Sequence, residues 1–230
     1  MALSADDFLV PPRARVAAPR IGLGLALTTW FALLAALLAM LVAEIASVRT
    51  VLLFDVGILA GGVVMFVAYW PELGPLLAAP RWGRGGGVGP AGLDARAIAV
   101  TMVAIAAVFG LIELLAWWWP ELFADLMQSY RAEGVGIGFA VFQVGPLTAL
   151  GEELLFRGVV LTGLRATFPD RVAVAVSAAM FATIHLSPVA FVHTGMLGLL
   201  FGWLTVRGAS LWPSILVHAG WNTAMVLLDA

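Results

Sequence analysis

The sequence predicts an all-α fold, a polytopic transmembrane helix bundle of about seven helices with room for an eighth. Three observations carry that reading. Hydrophobic residues make up 62% of the chain and charged residues 11%, with a mean hydropathy of +1.03, whereas soluble domains carry roughly 25% charged residues. Apolar runs recur between short polar breaks, most of them near the ~20 residues that a spanning helix needs. The 230 residues then leave no stretch for a sizeable soluble domain.

Taken in order, residues 1–20 form a polar N-terminal tail holding Asp6, Asp7, Pro11, Pro12, Arg13, Arg15 and Arg20. The N-terminal transmembrane helices occupy 21–134. Their first apolar run, Ile21 to about Ala46, exceeds the roughly 7–15 residue core of a cleavable signal peptide and is expected to stay as an anchor. Ser47 to Thr50 turns the chain into a second span, about Val51 to Trp70, and Glu44 and Asp55 are placed near that turn in water. Pro71 to Asp94 is the one linker. Its Gly-rich loop at 83–92 cannot hold a helix, and without the Lys-Ser/Thr ending of a P-loop it reads as plain connection. The third span, Ala95 to Trp119, closes with Trp117, Trp118 and Trp119, the aromatic belt of a membrane interface. Glu113, about two turns from that belt, is expected to pair or snorkel, and Glu121 to Glu133 to form an acidic loop.

Residues 135–230 form a second block of four spans, broken at Arg165 to Arg171, at Ser187-Pro188 and at Arg207-Gly208. Asp170 reads as the N-cap of the fifth helix. With a cytoplasmic N-terminus, the inner segments carry Arg13, Arg15, Arg20, Arg81, Arg84, Arg96, Arg165, Arg171 and Arg207, and the outer loops only Arg49 and Arg131. That bias sets the orientation. All twelve basic residues are Arg, and the Arg and Ala excess suggests a GC-rich genome; a bacterial plasma membrane is the expected location. The absence of Cys removes disulfides, thiolate metal sites and a Cys nucleophile. No internal repeat is visible, which argues against a transporter built from inverted halves.

Into this apolar background the chain sets Gly151-Glu152-Glu153-Leu154-Leu155-Phe156-Arg157. Ionisable groups at such depth cost several kcal/mol unless they pair or line a wet cavity, so they point to a functional site. Counted from the surface breaks, Glu152 lies roughly 20 Å in, His185 roughly 22 Å and His218 roughly 16 Å, all from one face. Three helices thus put a carboxylate and two imidazoles in a common layer. Glu153 and Arg157 are four apart, the better order for an ion pair. Glu152 points about 100° away from Glu153 and is free to face another helix, which makes one glutamate structural and the other chemical. His218 and Asn222, and likewise Phe181 and His185, repeat the four-residue spacing. His193 has no such partner and is placed near the far interface.

A carboxylate and an imidazole sharing one water can take its proton and aim it at a carbonyl, while an imidazole N–H and an amide can hold the oxyanion. The same residues would serve zinc, with Glu152, His185 and His218 as ligands and one open position. The residue types leave both chemistries open, and the H-E-x-x-H motif is absent.

In their order, Glu152-Glu153-x-x-x-Arg157, Phe181-x-x-x-His185 and His218-x-x-x-Asn222 resemble the motifs of the CAAX-protease and bacteriocin-processing family (CPBP, or Abi), which includes the type II CAAX prenyl endopeptidases. Arg157-Gly158 with Leu161 and Leu164, the stretch from Gly198 to Trp203 and Ser210 to Pro213 resemble the family's context, and the likeness covers about 140–226. The resemblance implies an intramembrane endopeptidase whose catalytic core is 135–230. By that likeness Glu152 and His185 activate water, His218 and Asn222 hold the oxyanion, and Glu153, Arg157 and Phe181 support the site. A glutamate-type mechanism that requires no cofactor is favoured, with zinc as the alternative. The partners implied are a peptide or protein substrate, membrane-associated or not, and the lipid bilayer; no nucleic acid is expected. The competing class is a non-hydrolytic membrane protein with the same constellation, an immunity or scaffold partner or a proton-coupled carrier. A proton relay needs no Asn one turn from a His, which favours the peptidase.

Overall fold

A computed structural model describes residues 20–43, 47–83, 92–120 and 127–229. These residues fold into α1 (Leu23–Val42), α2 (Val48–Ala68), the short α3 (Trp70–Leu73), α4 (Ala95–Trp118), the short α5 (Gln128–Ala132), α6 (Ile137–Arg165), α7 (Asp170–Thr183), α8 (Pro188–Gly208) and α9 (Trp212–Leu228). Five of them, α1, α2, α4, α6 and α8, are long and apolar enough to cross a membrane. Together with α7 and α9 they account for the seven apolar segments of the sequence. The molecule is an integral membrane helix bundle.

Polar caps start three of the helices. Ser47 Oγ accepts from the Thr50 N–H at 3.2 Å, Asp94 Oδ1 from the Ala97 N–H at 2.8 Å, and Ser187 Oγ from the Ala190 N–H at 3.3 Å. Each satisfies a donor that the first helical turn leaves unpaired. At α7 the expected cap is corrected: Pro169 holds that position and Asp170 is the first helical residue. Asp170 instead takes both arms of Arg165, at 2.7 and 3.0 Å, a two-point contact that a cap bond cannot match. With 14 residues α7 is only about 21 Å long, shorter than the ~30 Å apolar layer, so the chain turns at His185 inside the bundle.

The axis of the fold is α6, which packs against α1, α2 and α9. Pro146 interrupts its hydrogen-bond ladder and opens a wide, π-helical turn at Gln143–Leu147. Thr148 Oγ1 restores one bond by donating to the Gln143 carbonyl at 2.9 Å. A regular stretch, Thr148–Glu153, then carries the two glutamates, and a second wide turn follows at Leu154–Val160. Small residues let neighbours close on this helix. A Cβ on Gly163 would come within 2.7 Å of the Gly22 carbonyl, and one on Gly151 within 3.1 Å of the Leu59 backbone nitrogen.

Two further expectations change. Asp55 is buried, not in water, because it lies on the face of α2 that meets α6; distance from the turn was the wrong guide. The expected acidic loop contains α5, tied down where Glu133 Oε1 accepts from the Val48 N–H at 2.9 Å and Asp229 Oδ2 from the Met127 N–H at 3.0 Å. Ahead of the Gly-rich run the linker is tied to the start of α9: Ser210 Oγ donates to the Ala78 carbonyl at 2.7 Å and the Leu211 N–H to the Leu76 carbonyl at 2.8 Å. Glu44, residues 84–91 of the Gly-rich loop and residues 121–126 lie outside the described residues.

Candidate active site

The site forms where α6, α7, α8 and α9 meet. Glu153 and Arg157 pair as their spacing predicts, Glu153 Oε1 lying 3.1 Å from Arg157 Nη1 with neither side chain exposed. Arg157 Nη2 also donates to the Gly198 carbonyl of α8 at 3.3 Å. Its guanidinium lies 4.4 Å from the Phe181 ring centre and 5.3 Å from that of Phe201. Aromatic faces and a carboxylate thus surround the buried cation, while its Nε is left without a hydrogen-bond partner.

His218 joins the two glutamates. Its Nδ1–H donates to Glu153 Oε1 at 2.9 Å, and its Nε2 lies 3.7 Å from Glu152 Oε2. The sequence assigned the glutamates to separate partners, Arg157 and His185. In the structure one ring from α9 sits between two side chains that diverge by about 100° and meets one with each nitrogen. Phe201 stacks on this ring at 4.7 Å and Phe181 approaches it edge-on at 5.9 Å. Such packing fixes the imidazole plane.

Phe181 is the spacer between the two motif histidines, its ring also lying 4.9 Å from that of His185. His185 Nδ1–H donates to the Phe181 carbonyl at 3.0 Å, so in the neutral ring Nε2 carries a free lone pair. The turn holding it is strained, with Leu186 at φ 51. No direct bond joins His185 to Glu152 among the contacts of the described residues. Asn222 Nδ2 donates to the Val144 carbonyl at 2.9 Å, which uses one of its two amide hydrogens. His193 is placed by a bond to the Val189 carbonyl at 3.2 Å and lies in electrostatic range of His185, closer to the site than its missing motif suggests. Glu113 is exposed on α4.

Sequence reasoning placed Asp55 in water and passed over Gln143. Gln143 is fully buried, and its Nε2 donates to Asp55 Oδ2 at 3.2 Å. A charged residue and an amide inside apolar spans were a signal, but nothing local in the sequence pairs positions 88 residues apart. Among the described residues, no group of three or more His, Asp and Glu side chains is arranged to hold a metal ion.

Fold and site together define a polytopic helical membrane protein with a buried glutamate–histidine–arginine centre. Residues 134–224, the segment that supplies this centre, match the family model described as type II CAAX prenyl endopeptidase Rce1-like. That segment is under half of the chain, and through it the chain is similar to the type II CAAX prenyl endopeptidases. No curated protein and no solved structure matches the chain.

Proposed function

We propose that the chain is an intramembrane endopeptidase in which Glu152 and His218 hold the attacking water. The observation that carries this reading is the 3.7 Å gap between Glu152 Oε2 and His218 Nε2. With the Nδ1 hydrogen given to Glu153, Nε2 is a lone pair facing a carboxylate oxygen, two acceptors beyond direct bonding distance. A water donating one hydrogen to each satisfies both and keeps its own lone pairs for attack.

In the reaction that follows, the water oxygen bonds to the scissile carbonyl carbon as its proton passes to Glu152. The C–N bond then breaks and that proton moves to the departing amine, so Glu152 returns to its starting state. The second amide hydrogen of Asn222 donates to the oxyanion. His185, with Nε2 free, serves as the further acceptor on the α7 side. Glu153 and Arg157 hold His218 in place, and Phe181 keeps the two imidazoles apart. The N-terminus is assigned to the cytoplasm of a bacterial plasma membrane, as the arginine distribution favours.

The test uses the full chain in proteoliposomes with a farnesylated C-terminal peptide, the same peptide without its lipid, and an amphipathic leader-type peptide, read by mass spectrometry. Cleavage of any of them at one bond, retained in a zinc chelator, is the expected result; the peptide cleaved names the substrate class. Chelator-sensitive cleavage overturns the metal-free mechanism, and intact peptides throughout favour the non-hydrolytic class.

A further inference from the structure

A line of polar groups runs from Glu152 along the α2–α6 contact. Thr148 is four residues before Glu152 and so on the same face of α6. It lies beside Asp55 and donates to the Gln143 carbonyl at 2.9 Å. Asp55, roughly 10 Å into α2, is in electrostatic range of Glu152 and accepts from Gln143 Nε2 at 3.2 Å. Beyond it, towards the start of α2, come Tyr130 of α5 and then Glu133, Ser47 and Thr50, the last two joined hydroxyl to hydroxyl at 2.9 Å. Burial and the nearby charges of Asp55 and Glu133 push the Tyr130 hydroxyl up to about 12. The surroundings are otherwise apolar, with Val48, Met127, Ala140 and Val226 packed about Tyr130.

Two features of this line are unaccounted for by the protein alone. Gln143 is fully buried, yet its Oε1 has no hydrogen-bond partner. Turning the amide over only exchanges the problem, since one of its atoms faces Asp55 and the other is left. Asp55 is a carboxylate within an apolar span whose neighbours here are neutral, an amide and a hydroxyl. Buried polar groups of this kind are met by ordered water.

We propose that Asp55, Gln143 and Thr148 line a water path that supplies Glu152 from the Ser47 end of the bundle. The proposal rests on the hydrolytic reading for its purpose, since each turnover consumes a water molecule at a site enclosed by apolar helices. Two of its groups, Asp55 and Tyr130, lie outside the segment shared with the family, so the path is a property that α2 and α5 add to the core.

Because the chain has no cysteine, a single introduced thiol is the only reactive one. Thr148→Cys and Gln143→Cys are compared in proteoliposomes with Phe142→Cys, exposed on the outer face of α6, and with Ser129→Cys, exposed on α5. Each is treated with methanethiosulfonate ethylammonium, which reacts with thiols that water reaches. Labelling of Thr148→Cys at least tenfold faster than Phe142→Cys, slowed severalfold by adding Asp55→Leu, supports the path. A smaller ratio, with Ser129→Cys labelled normally, overturns it. If Gln143→Cys fails to fold, the milder Thr148→Cys decides alone. No substrate is involved, so rapid labelling without hydrolysis sinks the peptidase reading and leaves the path, and hydrolysis without labelling does the reverse.

Discussion

Helices α4 and α6 are both of spanning length, yet 11% of the most apolar stretch of α4 is buried inside the protein against 56% for α6. The more deeply buried helix is the less apolar of the two. Lipid accepts only apolar surface, whereas a protein interior can host charge wherever neighbouring helices supply partners. Hydropathy therefore finds α4 readily and understates α6, where glycines replace bulk and two glutamates and an arginine replace leucines. Helix α2 stands between them, lipid-facing on one side and presenting Asp55 to α6 on the other.

Substitutions on the two helices and their contacts separate chemistry from packing. The largest effect is expected at His218→Gln, which removes one of the two acceptors for the attacking water: peptide hydrolysis should fall by about 10²–10⁴-fold, while Glu113→Gln on α4 leaves it unchanged. Equal losses in the two would break the contrast between the helices. Arg157→Ala leaves Glu153 buried without its ion-pair partner and should cost about 3–5 kcal/mol, read as a collapse of folded yield and of thermal midpoint in detergent. A normal yield would show that His218 alone suffices to hold Glu153.

Smaller differences test packing. Gly163→Ala drives a methyl group against the Gly22 carbonyl and the Ala26 side chain, at 2.7 and 2.9 Å, and should destabilise by about 1–3 kcal/mol. Gly110→Ala on α4 meets nothing within 4 Å and should stabilise by up to about 1 kcal/mol, since alanine is the better helix former. Thermal unfolding of the two variants side by side reads the sign of each; the same sign in both would contradict the assignment of α4 to the lipid face.

What the sequence made legible was local or periodic. Seven apolar segments, the Glu153–Arg157 pair and the shared depth of Glu152, His185 and His218 followed from spacing along single helices. The partners of His218 did not, because rotation of α9 about its axis decides which nitrogen meets which glutamate, and stacking on Phe201 sets that rotation. Asp55 was misplaced for the same reason: its closeness to a turn was visible, but the face it presents to α6 was not. The bond from Asn222 to the Val144 carbonyl depends on the wide turn at Gln143–Leu147, whose only trace in the sequence is Pro146. The break at Ser187-Pro188 was legible, but the positive φ of Leu186 before it was not, since leucine rarely adopts that backbone conformation.

The central claim is that the adjacent glutamates divide the work, Glu152 reacting and Glu153 bracing. Its most direct test is to measure peptide hydrolysis and thermal unfolding together for reconstituted Glu152→Gln and Glu153→Gln at matched folded concentration. The account predicts that Glu152→Gln unfolds like the parent chain and has lost hydrolysis, while Glu153→Gln loses thermal stability as well as activity. Hydrolysis by Glu152→Gln within tenfold of the parent would contradict it.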